Sequence, residues 1–335
     1  MPYPHPQASL NPVETLLMGT VASQALLESV RMGLFDHLAQ GPASAKDLAL
    51  ALDVKADPLE SMLNMLVAYD VLEANGQGYA NTAMANDFLV STSPLFQDKA
   101  LESQVQFNTG IQENIQPLLR GEEARRTHTD DGWSEPDTMA GTLQHAVSGQ
   151  LQDAVDAVSG LPEFTSFSAM ADIGGNHGQY SMELVDRNPG LSSTILDLPH
   201  VVEAAKDRCA AMGYNDRIQC RPFDLRQDKL PETYDLVFAS HVLYANKENL
   251  DDLLARVHDG LNPGGCFASH HFSIQGDPDR YAATVEFVTR LSGYATHFLD
   301  KEKLEAAMTR AEFSNLTHAY TGPDKRSLLV VGRKA

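Results

Sequence analysis

Three carboxylates, Asp172, Asp197 and Asp224, each close a short apolar run, and a glycine-rich segment follows the first of them directly. That segment reads Asp172-Ile173-Gly174-Gly175-Asn176-His177-Gly178. Small residues there let the backbone approach a ligand closely, and a helix opening behind it adds oriented N–H groups. The spacing is GGxxG rather than GxGxxG, and an acid precedes it. This disfavours a pyrophosphate and suits an ammonium group or an ordered water network. Asp197 lies 19 residues beyond Gly178, the place from which a carboxylate accepts both ribose hydroxyls in nucleotide-binding α/β folds. Asp224, in Pro222-Phe223-Asp224-Leu225, can accept from an adenine amino group while Phe223 or Leu225 covers the ring. Taken alone the glycine segment is equally a tight strand-to-helix turn. Three acids at successive strand ends, all on the sheet edge where such folds bind ligands, make it a site.

Positioning those acids requires a parallel, doubly wound sheet, and the chain from about residue 161 onward has that pattern. Ser168–Ile173, Ser193–Leu196, Ile218–Phe223, Leu236–Ala239 and Cys266–Ser269 read as strands. Helical stretches around Tyr180–Arg187, His200–Met212 and Lys247–Leu261 alternate with them. Asn262-Pro263-Gly264-Gly265 reads as a helix stop and turn before the fifth strand, and Asp300 can cap a helix reaching Arg310. Leu316–Tyr320 and Ser327–Val331 around Gly322-Pro323 predict a closing antiparallel hairpin.

The first hundred residues are of another kind. Asn11-Pro12 opens a helix carrying Leu16, Leu17, Val21, Leu27 and Val30, and Ser44 caps a short one through Leu52. Asp57-Pro58 starts a third, and an Asn75-Gly76 turn predicts a hairpin. Helix, helix, helix, hairpin is the order of a winged helix. Its recognition helix would offer Glu60, Ser61 and Asn64, with Lys55 the one cation from Asp53 to Tyr69. Phosphate and guanine contacts need Arg or Lys, so a dimerisation module fits better than a DNA reader. The expected organisation is a winged-helix-like domain over 1–96, a helical connector over 97–160 that contributes to a substrate pocket, and the α/β domain over 161–335. Gly121 to Trp133 is polar and reads as an exposed excursion.

Composition agrees. The chain of 335 residues has 25 Lys+Arg against 45 Asp+Glu, a formal net charge of −20, whose field repels nucleic acid and anionic membranes. Three dispersed cysteines, Cys209, Cys220 and Cys266, form no disulfide framework and suit a reducing cytoplasm. The N-terminus lacks a signal-peptide pattern, and no run of 18 apolar residues is present to span a membrane.

With these motifs in order along nearly its whole length, the chain resembles class I S-adenosylmethionine-dependent methyltransferases. The group is that of small-molecule O-methyltransferases with an N-terminal winged-helix dimerisation domain, of the caffeate and acetylserotonin type. ADIGGNHG is similar to their first motif, ILDLPHVVEAA to their second, and LNPGG to the turn before their fifth strand. The resemblance implies a Rossmann-like fold, S-adenosylmethionine as cofactor, a small aromatic or polyketide-like acceptor and a homodimer. It implies that Gly174 and Gly175 hold the methionine part, Asp197 the ribose, and Asp224 with Leu225 the adenine. Asp172, Gly178, Leu198 and Ser240 complete the expected cofactor set, Ser240 near the methyl end.

One departure is chemical. The family's His-Asp-Trp run, whose His is the general base, is replaced here by Tyr244-Ala245-Asn246. A phenol with pKa near 10 is a poor base at neutral pH. His241 and Tyr244 are therefore both candidate catalytic groups. His241 serves as a base if the chain curls it inward; otherwise proximity alone suffices for an acceptor that is already acidic. His271, Phe272, Tyr294 and His297 are candidate pocket lining. Of His270 and His271, adjacent in a strand, at most one faces the site. Phe287, Leu291 and Tyr294 share a helical spacing that favours core packing over substrate contact. The histidines show no i, i+4 pair, so no metal site is expected. Three other activities compete: transfer to carbon, nitrogen or sulfur, cofactor-bound chemistry without methyl transfer, and a ligand-sensing winged-helix regulator.

Overall fold

The computed structural model describes residues 3–122, 130–244, 249–294 and 296–335. The chain divides into two compact units, Met1–Glu102 and Ser103–Ala335.

In the first unit, α1 (Asn11–Arg31), α2 (Leu34–Leu38), α3 (Ala45–Ala51) and α4 (Ala56–Ala68) precede the strands β1 (Leu72–Asn75) and β2 (Gly78–Asn81). Then come α5 (Ala83–Phe88) and the start of α6 (Asp98–Gln112). Ser44 caps α3 as its sequence predicts, its side chain accepting from Asp47 N. The hairpin turn falls one residue later than expected: Asn75 pairs with Gly78, and Asn75 Oδ1 accepts from Gln77 N at 2.8 Å. An Asx turn thus closes the loop. Leu34, Phe35, Leu48, Leu63 and Leu66 form this unit's own core. The apolar face of α1 packs against it at Leu26 and Val30, whereas Leu16, Leu17, Met18 and Val21 are all at least 60% exposed.

In the second unit, α7 (Ile115–Leu119), α8 (Pro136–Ala146) and α9 (Gln150–Ser159) precede the sheet. Of the expected excursion, residues 123–129 lie outside the described residues, whereas Asp130–Ser134 form a 3-10 turn. Strands and helices then alternate as β3 (Ala169–Ile173), α10 (Gln179–Arg187), β4 (Ser192–Asp197), α11 (Pro199–Ala211), β5 (Ile218–Pro222), β6 (Tyr234–Ser240), α12 (Leu250–Asp259) and β7 (Leu261–Phe272). The chain ends with α13 (Arg280–Leu291), α14 (Lys301–Arg310), β8 (Ser314–Thr321) and β9 (Ser327–Arg333). Asp300 caps α14, accepting from Lys303 N.

The seven strands lie in the order β5-β4-β3-β6-β7-β9-β8. All pairs are parallel up to β7, and β9 and β8 close the sheet antiparallel. Successive residues face opposite cores. Leu236 and Phe238 pack with Leu184, Val185 and Ala205 of α10 and α11, while Val237 and Ala239 pack with Leu253, Leu254 and Met308 of α12 and α14. Strands buried on both faces explain the continuous apolar runs. Chain order reverses between β3 and β6, which places the ligand crevice at their C-terminal ends.

Two expectations need correction. The turn read at Asn262–Gly265 is absorbed into β7: Leu261 already pairs with Tyr234, and the register shifts before Leu236 meets Cys266. Gly264 takes φ 79°, and a Cβ on Gly265 would lie 3.1 Å from the carbonyl oxygens of Tyr234 and Asp235, so the segment is a bulge that only glycine fits. The core reading of Phe287 and Tyr294 also fails, since they are 44% and 37% exposed.

Candidate functional site

The glycine segment is fixed by what lies against it. Gly174 and Gly178 take φ 67° and 70°, and an added Cβ would stand 2.6 Å from Val242 Cγ2 and 2.9 Å from Ile195 Cδ1 respectively. Asp172 sits beneath the turn, fully buried, accepting from Ser181 Oγ at 2.7 Å, and that hydroxyl lies 2.8 Å from Ser193 Oγ. Burial pushes its carboxyl up to about 7, and the nearby Asp197 charge adds to the rise. Asp197 remains only half-buried. Its Oδ2 accepts from Asn176 N at 3.0 Å and its Oδ1 from Leu198 N at 2.8 Å, so the carboxylate ties the second strand end to the glycine turn. Each oxygen keeps an acceptor position for a ligand hydroxyl.

Sequence reasoning missed the groups that close over this turn. Asn176 Nδ2 donates to Trp133 O at 3.0 Å, and Thr142 Oγ1 of α8 donates to Asn176 Oδ1 at 3.3 Å. Arg208 of α11 donates to His177 O at 2.5 Å and to Gln179 Oε1 at 2.8 Å. The i+2 place of Asn176 in a glycine turn was a signal for a left-handed residue, which its φ of 39° satisfies; its tertiary partners had no local signal.

Asp224 stands at the end of β5 but is turned elsewhere. Its Oδ1 accepts from Arg226 N and Nε at 3.0 and 2.8 Å, and its Oδ2 from Arg226 Nη2 and Gln227 Nε2 at 3.2 and 3.0 Å. The guanidinium holds its carboxyl below the usual carboxylate range. All four acceptor positions are thereby taken, and Leu225 is buried in the core between the sheet and α12. Where adenine contacts are expected, Asp224 pairs with the cation two residues on and Leu225 packs inward.

Beyond β6 the chain does curl. His241 takes φ 53°, uncommon for a residue with a Cβ, which brings its ring 4.1 Å from that of Phe272 and 5.1 Å from that of His270. Burial and the facing imidazoles hold its pKa well below 6.5. Tyr244 Oη accepts from Phe272 N at 2.5 Å and lies 3.3 Å from His241 Nδ1. Its burial raises the phenol well above 10, so it is no base at neutral pH. Ala245 and Asn246 lie outside the described residues. Phe272 stacks on His297 at 4.6 Å between centroids and 18° between planes, forming a flat apolar shelf. Burial lowers His297 to about 4.

The two strand histidines face opposite ways and neither is free. His271 Nε2 accepts from Val242 N and Leu243 N at 3.3 and 3.1 Å, while its Nδ1 lies 2.9 Å from Ser269 Oγ. It holds the loop that carries His241, and at 1% exposure it does not line a pocket. His270 lies 3.0 Å from Ser240 Oγ and 2.8 Å from Thr321 Oγ1, so Ser240, expected at the cofactor, is also engaged inward. Tyr294, expected in the pocket, stands at the exposed end of α13. The structure therefore brings together Asp172, Asp197 and the glycines at one place and His241, Tyr244, Phe272 and His297 at another. Val242 against Gly174 joins the two. No group of three or more His, Cys, Asp or Glu suited to a metal ion occurs among the described residues.

A model described as an O-methyltransferase domain matches residues 135–284, and one described as an O-methyltransferase dimerisation domain matches residues 14–91. The chain is 30% identical over 278 residues to the 3-hydroxy-5-methyl-1-naphthoate 3-O-methyltransferase of Streptomyces sahachiroi, covering 78% of this chain and 77% of that one. It is 26% identical over 331 residues to the tetracenomycin polyketide synthesis 8-O-methyl transferase of Streptomyces glaucescens, covering 95% of each. Among solved structures, human N-acetylserotonin methyltransferase in complex with SAM superimposes with a TM-score of 0.75 at 20% identity, over 100% of both chains.

Proposed function

The chain belongs to the O-methyltransferase family, and on that premise we propose that it methylates a hydroxyl of a small aromatic, polyketide-like metabolite. It is a methyltransferase, and its cofactor is S-adenosylmethionine. The naphthoate and tetracenomycin relatives support an aromatic acceptor, and the Phe272–His297 shelf supports a flat one.

The residues at the β3 and β4 ends fit such a cofactor. Two acids, Asp172 and Asp197, with no cationic side chain hydrogen-bonded to either among the described residues, suit a cationic, hydroxyl-rich ligand and not a phosphate. We assign the methionine part to the Gly174–Gly178 turn and the ribose hydroxyls to Asp197; Phe223, beside Asp224, is buried and the adenine has no assigned acceptor side chain. When bound, the cofactor supplies an electrophilic methyl group on a sulfonium. The chain's own task is then to hold an acceptor oxygen in line and exclude water, a role for which proximity alone is worth several orders of magnitude in rate. The observation that carries this reading is the Phe272–His297 stack, a flat surface beside His241 whose Phe272 is pinned through its N–H to the Tyr244 phenol oxygen. Incubation with methyl-labelled cofactor and a panel of hydroxynaphthoates and hydroxyanthraquinones should yield singly methylated ethers by mass spectrometry. Label appearing only on carbon or nitrogen would overturn it.

The assembly and its setting belong to the same proposal. The exposed apolar stripe of α1, within the matched dimerisation segment, supports a homodimer, and light scattering should give twice the chain mass. The proposed domains keep the division 1–96, 97–160 and 161–335, with the middle segment supplying Trp133 and Thr142 to the glycine turn. No helix among the described residues is long and apolar enough to cross a membrane, and the free thiols Cys209, Cys220 and Cys266 support a reducing, cytoplasmic setting.

A further inference from the structure

His241 carries two features that its neighbours lack. Its backbone is left-handed, and its Nε2 is covered from solvent yet has no hydrogen-bond partner among the described residues. A buried polar atom left unpaired is destabilising, and a left-handed backbone on a residue with a Cβ adds strain. Both persist where a ligand completes the pairing.

The proton on that ring can be placed from its partners. Phe272 N–H can only donate, so Tyr244 Oη accepts from it. The phenol proton then points to its other neighbour, His241 Nδ1, which accepts. A neutral imidazole that accepts at Nδ1 carries its hydrogen at Nε2. The orphan atom is therefore an N–H and not a lone pair. The titratable groups that face the ring are His145, His270, His271, His297 and Tyr244, and among the described residues no carboxylate faces it to draw that proton away.

We propose that His241 is a fixed hydrogen-bond donor, through Nε2–H, to the oxyanion of an acceptor that ionises before methyl transfer. The substrate class follows. An ordinary alcohol stays protonated at neutral pH, whereas a phenol or enol conjugated with a carbonyl loses its proton to water and arrives as the anion. A donor at Nε2 stabilises that anion and cannot accept its proton. This deepens the proposed function and rests on it.

Two measurements test the donor without needing methyl transfer. In protein labelled with ¹⁵N-histidine, the His241 ring at neutral pH should show the Nε2–H form, and Tyr244→Phe should release it toward a mixture; an Nδ1–H ring in the unsubstituted protein overturns the proposal. The second uses alizarin, a hydroxyanthraquinone whose absorption reports its ionisation, titrated in complex with the protein. The bound dye should ionise about one pH unit lower on the unsubstituted protein than on His241→Phe, a tenfold preference for the anion. His241→Gln, which keeps an N–H near the Nε2 position, should restore most of the shift. Equal midpoints on all three proteins overturn the proposal, as does Gln behaving like Phe. In turnover, His241→Phe should lose about 10- to 100-fold in kcat/KM, with Gln recovering to within tenfold. If the dye shift and the ring form hold but no hydroxyl is ever methylated, the proposed function falls and the donor stands.

Discussion

The ends of β3 and β4 and the loop after β6 are neighbours in the sheet, yet they are built by different means. At the first, charge and backbone do the positioning: Asp197 binds two N–H groups, and the glycine turn packs over the buried Asp172. At the second, every group is neutral. His271 holds the loop by accepting two N–H groups, Tyr244 is pinned by a third, and burial keeps the imidazoles unprotonated. A site for an invariant cofactor can be made of features that tolerate little change. A site for an acceptor is set by which way protons point, and one residue changes that. On the proposed reading, the contrast accounts for a cofactor edge built from fixed charge and backbone beside an acceptor edge that offers no base.

The strongest test of the contrast strikes where the two regions touch. Gly174→Ala places a methyl 2.6 Å from Val242 Cγ2 on a backbone of φ 67°. Strain and overpacking together should remove about 2–5 kcal/mol of stability, read by chemical denaturation. Cofactor affinity and turnover should fall together. If only one fell, the two regions would be less coupled than the packing implies.

Next comes the buried acid that underlies the cofactor edge. Asp172 has a folded pKa of about 7, above the ordinary carboxylate value. Between about pH 4 and 7 the folded state holds a proton there that the unfolded state has released, so this group's contribution to stability falls as pH rises through that window. Asp172→Asn has no such proton to lose. Its stability relative to the unsubstituted protein should therefore improve from pH 4.5 to 7.5, by an amount on the order of a few kcal/mol. A difference that does not change with pH would mean the carboxylate is solvated in the folded state.

Asp197→Ala should weaken S-adenosylmethionine binding by about 1–3 kcal/mol, the worth of charge-assisted hydrogen bonds to hydroxyls, by calorimetry. Unchanged affinity would remove Asp197 from the site and leave it as a clamp on Asn176.

Much of the first region was legible in the sequence because its signals are local. The GGxxG turn, the LDLP segment, the Asp300 cap and the apolar runs of a doubly covered sheet each follow from residues close together in the chain. What the sequence did not show was also local in form but tertiary in cause. Asp224 ended a strand as expected, but Arg226 at i+2 claims its carboxylate. Asn262–Gly265 has the composition of a turn, and the pairing of Leu261 with Tyr234 draws it into β7 as a bulge. His271 was expected in the pocket because alternation allows one of two strand histidines to face it; that it spends its Nε2 on Val242 and Leu243 depends on a loop 28 residues earlier. The curl at His241 was conceivable from sequence, but its φ of 53° was not readable from a non-glycine residue.

Tyr244→Phe is expected to have the smallest effect and separates the two regions most cleanly. The substitution deletes the acceptor of Phe272 N–H and the donor to His241 Nδ1, and removes no charge. The net worth of such hydrogen bonds is about 0.5–1.5 kcal/mol each, so stability should fall slightly and kcat/KM by about tenfold or less. Cofactor affinity should not move, because among the described residues the phenol's hydrogen bonds run to Phe272 and His241 and not to the β3 and β4 ends. The pH–rate profile is the sharper reading. With the phenol as base, removing it would abolish the rate by 10²–10⁴ and erase the limb that reports its ionisation. With an acceptor that arrives ionised, the profile should keep its shape in Tyr244→Phe and shift only when the acceptor's own pKa is changed. A steep loss confined to this variant would make Tyr244 the catalytic group and His241 its partner, reversing the order of roles that the Phe272 hydrogen bond assigns.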